Sequence, residues 1–507
     1  MKSSRGVGIS ISYINTALNM ICGLFLSSFL LRHLGDNEYG LYQTDAAFAT
    51  YLVLLEFGAG NVMSRNIAVC KASGTREDLE KNISTIWFIT VALSALIILI
   101  SGVFYFSLGT LYKNTLSGAQ IVYAKRIFVF VTAYLIFSFY TQTLNGVLLG
   151  YEQYTFSQKL NLIRIVLRTA LLIGLILFEP YAIVIAFTDM VLSFLILSLT
   201  WFYCKKHYNL RFNLKKFDKA ILVEALPFCF ALMIQSLVNQ ANNNVDKFVI
   251  GIMVSMKSVA IYSVAQYVYS IFSSVTTVPI SMYLPQVAKD IGGGKKGESL
   301  TNTLIEPCRL SALVGGVIVF GFFAIGRQFI KIVYGASYDA AWIYALIIMI
   351  PMFINMTNGV LINVLDVLKK RIVRSFILLG TTILNIVLTV IFIKSIGIIG
   401  AVIATAISTL LGQVLIMNIY YDRKLGIKVM RLFAKSYKGI LPIYIIASVI
   451  SFIISRFINS VLLSFIIGGI LFVGISTVLL LLFGFNESEK SKFKYIIMRF
   501  KNRLLAK

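Results

Sequence analysis

Fourteen stretches of this chain are apolar over about the 20 residues that a helix needs to cross a bilayer. They limit what the chain can become more than any other feature. They run over 8–31, 41–63, 83–108, 127–149, 160–178, 182–203, 226–254, 259–284, 304–325, 341–365, 372–393, 398–420, 440–458 and 461–485. Hydrocarbon holds no water to pair with backbone N–H and C=O groups, so each stretch must satisfy its own as a helix. The 507 residues are 58% hydrophobic and 13% charged, with mean hydropathy +0.85. That is too apolar for a soluble chain of this length. An all-α polytopic membrane protein with about 14 transmembrane helices is expected.

Lys and Arg are placed unevenly between the loops, and this sets the orientation. Lys205, Lys206, Lys219, Lys369, Lys370, Arg423, Lys424, Lys428, Arg431, Lys435 and the basic tail fall on one side. The other side holds few, among them Arg32, Lys113, Arg327 and Arg456. An even number of spans with both termini in the cytoplasm follows. The net charge of +25 is then a matter of topology and anionic lipid, not of nucleic acid. Met1–Ser10 reads as the start of the first span rather than a removable signal. The five cysteines have no metal spacing, and the two histidines, His33 and His207, lie in loops. No cofactor, metal site, nucleophile elbow or nucleotide motif is expected. The glycines at 292–294 lack the Walker spacing. The outside segment 109–126 is too short for a catalytic domain, so an enzyme is not expected.

Polar residues interrupt the apolar helices in stripes. Gln235, Asn239, Asn242 and Asp246 share one face of the seventh span, and Ser12, Asn15 and Asn19 one face of the first. Such faces meet either protein or a wet lumen. The two regions look duplicated. Leu34–Tyr42 parallels Val254–Tyr262, Ala68–Gly74 parallels Ala288–Gly294, and Asn145–Leu148 parallels Asn358–Leu361, at a roughly constant offset of ~215–220 residues. Two pseudo-symmetric six-helix bundles are expected, 1–204 and 221–421, joined by a basic cytoplasmic linker at 205–220. Two additional helices at 422–485 and a basic cytoplasmic tail at 486–507 follow. The tail carries Phe493, Ile496, Ile497, Phe500 and Leu504 on one face, which suits an interfacial helix.

Ionisable groups at membrane depth are functional candidates. Arg164 and Arg168 stand four apart in the fifth span, with Asn161 one turn earlier, so they share a face. Arg168 lies roughly 12–15 Å from the cytoplasmic end. A permanent charge and a planar donor fork suit phosphate oxygens. The competing reading is an ion pair with Asp189 or Glu56. Arg309 reads as an interfacial partner of Glu306. Asp45 and Glu56 share a face of the second span, with Asp189 in the sixth and Asp246 in the seventh; any of them is either an ion carrier or a structural partner. Gln142, Asn145, Asn355, Asn358 and Asn385 add amides suited to sugar hydroxyls or to contacts between helices.

In Leu34-Gly35-Asp36-Asn37-Glu38-Tyr39-Gly40, Asp246–Gly251, Val259–Ala265, Tyr334–Tyr338 and Gly397–Ala401 the chain resembles the Wzx-type polysaccharide flippases of the multidrug/oligosaccharidyl-lipid/polysaccharide exporter superfamily. Each motif is loose, but their order spans nearly the whole chain. The resemblance implies a V of two bundles around a cavity. It implies export of undecaprenyl-pyrophosphate-linked oligosaccharide by alternating access, with the polysaccharide polymerase and glycosyltransferases of the pathway as partners. On that footing Arg164 and Arg168 would hold the pyrophosphate, Asn161 would meet either pyrophosphate or sugar, and Asn15, Asn19, Asn239 and Asn242 would meet the sugars. Asp45, Glu56, Asp189 or Asp246 would couple an ion gradient. Alternatives are a lipid II flippase, a cation-coupled multidrug exporter and a membrane polymerase or ligase. Between Arg5 and Arg32 the first span holds no arginine, which counts against lipid II; fourteen spans rather than twelve count against a drug exporter.

Overall fold

In a computed structural model, the described residues are 2–52, 59–73, 75–113, 116–208, 217–221, 223, 245–368, 370–487 and 489–491. They divide into two compact units, Met1–Ser263 with Thr389–Ala401, and Val264–Leu388 with Val402–Lys507. Among the described residues, ten helices are long and apolar enough to cross a membrane, eleven if one bent pair is a single span. Two further candidates from the sequence, 41–63 and 226–254, include residues that are not described.

The first unit begins with α1 (Lys2–Leu52), broken at Gly35, whose φ of 77° and ψ of 173° are non-helical. Glycine adopts that conformation without a Cβ penalty, so the break separates the first span from the second. Next come α2 (Ala59–Ser73), α3 (Arg76–Leu111), α4 (Gly118–Gly150), α5 (Tyr154–Phe178) and α6 (Ala182–Tyr208). Residues 245–253 are helical as well. Thr75 with Asp78, and Ser117 with Gln120, form capping boxes that start α3 and α4. Hydroxyls inside the spans are satisfied locally: Thr90, Thr132, Thr169, Thr188 and Thr200 each donate to the carbonyl one turn back. The core of this unit gathers Met63, Ile67, Ile86, Leu108, Ile127, Phe128 and Val147. Here α2 lies so close to α4 that a Cβ on Gly146 would stand 2.2 Å from the Gly60 carbonyl oxygen.

The helix α7 (Met256–Met282) follows a turn at 254–255 that matches the Gly35 break in the first copy. The second unit continues with α8 (Leu284–Gly292), α9 (Gly297–Val333), α10 (Ala340–Thr357), α11 (Val360–Val367) and α12 (Arg371–Ile396). After these come α13 (Ile398–Thr409), a π-helical turn over Leu410–Ile416, α14 (Met417–Leu425), α15 (Val429–Tyr437), α16 (Ile440–Arg456) and α17 (Val461–Leu479). The copy of the Asn-Gly step recurs in its role, since a Cβ on Gly359 would stand 2.2 Å from Ile280 Cδ1.

Three readings change. The tenth span is not continuous, for it breaks at Asn358–Gly359. The thirteenth is preceded by the amphipathic α15, bent 47° from α16. Arg309 does not rest on a helical neighbour alone. Its Nε donates to Glu489 at 2.7 Å and its Nη1 to the carbonyls of Lys438 at 2.8 Å and Lys435 at 3.3 Å. Its Nη2 donates to Gly484 O. This buried guanidinium joins α9 to the ends of the two additional helices. Tyr444 stacks over Gly316 and donates to Leu313 O, and Gln328 donates to Ser455 and Ser464, on the same seam. At the glycine run, Gly294 takes φ 85° and Lys295 donates to Asp290 at 2.8 Å, so the loop ends α8 and its lysine is engaged.

Candidate functional site

The face of α5 that carries Ile163, Val166 and Leu177 is exposed. Apolar side chains this open belong against lipid, and the helix turns its other face inward. Arg164 and Arg168 sit there, about 15 and 21 Å along α5 from Tyr154. They line a cavity of about 470 Å³ inside the first unit, with Asn19 and Tyr42 from α1, Tyr134 from α4, Asn161 from α5 and Asp189 from α6. A second cavity of about 250 Å³ shares Asn161 and Arg164 and adds Gln142, Asn145, Ser157 and Gln158. One end of the hollow is therefore cationic, and the adjoining chamber is lined with amides and hydroxyls.

The two arginines are held differently. Arg168 forms a bidentate pair with Asp189, Nε to Oδ1 at 2.5 Å and Nη2 to Oδ2 at 2.8 Å. The Tyr42 hydroxyl lies 3.4 Å from both partners. A fork-to-fork pair of this kind compensates both charges. Arg164 has weaker company. Its Nη2 is 3.4 Å from the hydroxyls of Tyr134 and Ser193, and its guanidinium lies 5.7 Å from the Tyr134 ring centroid. All three contacts are to neutral groups, so Arg164 faces the hollow with its charge uncompensated by any of them.

The other candidates scatter. Asn15 is buried and donates to Gln158 O and Oε1, both at 2.9 Å, tying α1 to α5; it does not line the larger cavity, whereas Asn19 does. Asp45 is buried with its Oδ2 unpartnered, and it does not line the cavity. Asp246 accepts from Tyr262 at 2.6 Å and Thr389 at 3.2 Å. Asn239, Asn242 and Glu56, like Gln235 and the tail helix, lie outside the described residues. In the second unit Asn355 donates to Gln413, Asn358 to Asn418 and Asn385 to Thr405. Those amides are engaged between helices.

Tyr42, Tyr134 and Ser193 were not singled out from the sequence, because hydroxyls among aromatics give no periodic signal. Glu38 stands in the sequence only as part of the Leu34–Gly40 motif, which gives it no role. Its Oε2 accepts from Tyr123 and from the Ala182 N–H, both at 2.9 Å, which anchors the start of α6 and hence Asp189.

A profile of the family described as "Polysaccharide biosynthesis protein" matches residues 29–343. Among solved structures, "Lipid II flippase MurJ, inward closed conformation" is similar at 17% identity with a TM-score of 0.68, covering 93% of this chain and 99% of that one. A "multidrug resistance MATE family transporter of the MOP superfamily", inward-facing, is similar at 14% identity and TM-score 0.60, covering 85% and 98%. No curated protein matches by sequence.

Proposed function

Because the chain belongs to the polysaccharide biosynthesis protein family and has the fold of multidrug/oligosaccharidyl-lipid/polysaccharide transporters, we propose that it is a flippase for undecaprenyl-pyrophosphate-linked oligosaccharide. It moves the repeat unit from the inner to the outer leaflet of a bacterial cytoplasmic membrane by ion-coupled alternating access. The observation that supports this reading is the hollow of the first unit, with Arg164 at its cationic end and the amide chamber beside it. Arg164 receives phosphate oxygens, which are better partners for a guanidinium than neutral hydroxyls. Asn19, Asn161, Gln142 and Asn145 meet sugar hydroxyls. Asp189 competes with the phosphate for Arg168. A proton or cation on Asp189 would release that guanidinium, which links ion binding to substrate binding. The polymerase and glycosyltransferases of the pathway receive and supply the substrate.

The test is transport of a fluorescent lipid-linked oligosaccharide in proteoliposomes. Truncating one partner of a charge-assisted contact costs about 2–5 kcal/mol, so Arg164→Ala lowers the rate by at least tenfold and Arg164→Lys restores part of it. Full activity in both Arg164→Ala and Arg168→Ala removes the phosphate site. A second reading, transport of lipid II, draws on the fold likeness to a lipid II flippase. Excess lipid II that slows oligosaccharide flipping would favour it.

A further inference from the structure

A second hollow lies in the other unit, where none of the residues around Arg164 are found. It is an apolar groove of about 660 Å³ between the α13–α14 helix and the amphipathic α15. That volume falls in the ~300–1,000 Å³ range of small-molecule sites. The local structure explains why protein leaves it open. The π-turn over Leu410–Ile416 packs Gly412 inward against Thr381, so closely that a Cβ would meet the Thr381 hydroxyl. Leu410, Leu411 and Leu415 are left on the outer side, 39%, 40% and 52% exposed. Single-turn π-bulges of this sort recur at functional positions. The opposite wall is α15, which buries Val429 and Leu432 in its own unit but leaves Met430 82% exposed.

The rim gives the groove its chemistry. Arg423 and Lys424 are exposed in the last turn of α14, Arg423 in the groove wall itself, and Lys428 is exposed where α15 begins. Arg431 is engaged by Glu298. Among the described residues no acid pairs with these three cations, and the groove lining offers one acid, Asp422. An apolar trough that ends in clustered cations, beside an interfacial amphipathic helix, matches a molecule with an acyl chain and a negative head. We infer that the groove between Leu410–Ile419 and α15 is a binding site for an anionic phospholipid of the leaflet that faces the basic loops. The chain lies along Leu411, Leu415 and Phe433, and the phosphate meets Arg423, Lys424 and Lys428. The bound lipid fills the angle between α15 and the thirteenth span.

The experiment is native mass spectrometry of the full-length protein in detergent, titrated with phosphatidylglycerol or with phosphatidylcholine of the same chains. Phosphatidylglycerol is expected to be retained at least tenfold more strongly. Neutralising the rim (R423A/K424A/K428A) brings that preference below threefold, and filling the trough by Leu415→Trp lowers retention of both lipids. Equal retention of the two lipids by the unaltered protein overturns the inference, and this arm needs no variant to fold. Undiminished retention in a folded Leu415→Trp also overturns it. So does a severalfold rise in retention on removing residues 492–507, which would make the tail the occupant. Displacement of phosphatidylglycerol by equimolar polyprenyl phosphate would assign the groove to substrate and overturn it as well. The rim and trough variants leave the Arg164 cavity intact, so their failure and that of the transport reading are separable.

Discussion

Arg164 and Arg168 stand one turn apart on α5, yet their surroundings give them different duties. Asp189 compensates Arg168 through two short contacts, and the pair is only partly open, with side chains 33% and 14% exposed. Breaking a buried pair costs about 3–5 kcal/mol; water reaching Arg168 screens part of that, so Asp189→Asn should cost about 1–3 kcal/mol. Arg164 has only contacts of 3.4 Å and a ring to lose, so Arg164→Ala should change stability by less than about 1 kcal/mol. Thermal unfolding in detergent, set beside transport, separates the two: Asp189→Asn loses both, Arg164→Ala loses transport alone. Arg309 is the opposite case. Its side chain is 6% exposed and its contacts to Glu489, Lys435, Lys438 and Gly484 are structural, so Arg309→Met should destabilise by about 3–5 kcal/mol, read as a lower unfolding temperature. At the end of α8, the Lys295 ammonium beside Asp290 holds that carboxyl below the usual carboxylate range. A lowered folded value means the contact stabilises the turn above the ordinary carboxylate pKa of about 4 and is lost as pH falls through the folded value. The protection of the amides over 291–296, taken relative to the intrinsic exchange rate at each pH, should therefore fall on acidification below that range and be flat above it; in Lys295→Ala the step should vanish.

Elements were legible where one period dominates. Long apolar runs announced the spans, and the two capping boxes at Thr75 and Ser117 are written in the sequence as Thr-x-x-Asp and Ser-x-x-Gln. What averaging hides is interruption. Asn358–Gly359 sits within an apolar run, and α15 is too short and mixed to raise a window mean, so hydropathy smoothed over both. Arg309 and Glu489 are 180 residues apart; no spacing rule links them, while Glu306 was near in sequence and so looked like the partner. Close helix packing was half visible. Asn145-Gly146 and Asn358-Gly359 stood out as a repeated pair, but only the fold gives each glycine a neighbour, the Gly60 backbone in one unit and Ile280 in the other. An inserted side chain at Gly146 must push α2 from α4. Overpacking typically costs about 1–3 kcal/mol, and backbone on both sides of this contact cannot rotate away, so Gly146→Leu should sit at the upper end or beyond. Gly359→Ala meets a flexible isoleucine tip and should cost less. The ratio of the two unfolding shifts measures how rigid each crossing is.

At the scale of the whole chain, charge and repetition carried the argument further than any residue did. The proposed pyrophosphate site needs substrate to enter from the leaflet where it is made, so the orientation of the basic loops and the proposed direction of transport stand or fall together. The spans were counted from hydropathy, and the sign of each loop from Lys and Arg. Both rules are cumulative and tolerate local error, whereas the partner of Arg309 depends on one contact across 180 residues. They place Ser117, at the start of α4, outside, and Lys424, near the end of α14, inside. In a cysteine-free background that still transports, Ser117→Cys should react with a membrane-impermeant maleimide on intact cells. Lys424→Cys should react only after lysis. These two positions are separated by spans four to twelve, an odd number, so opposite labelling also checks the count between them. If Lys424→Cys labels first, the basic face is outward, Arg164 opens to the wrong leaflet for a cytoplasmic precursor, and the cavity must serve uptake or scrambling instead of export.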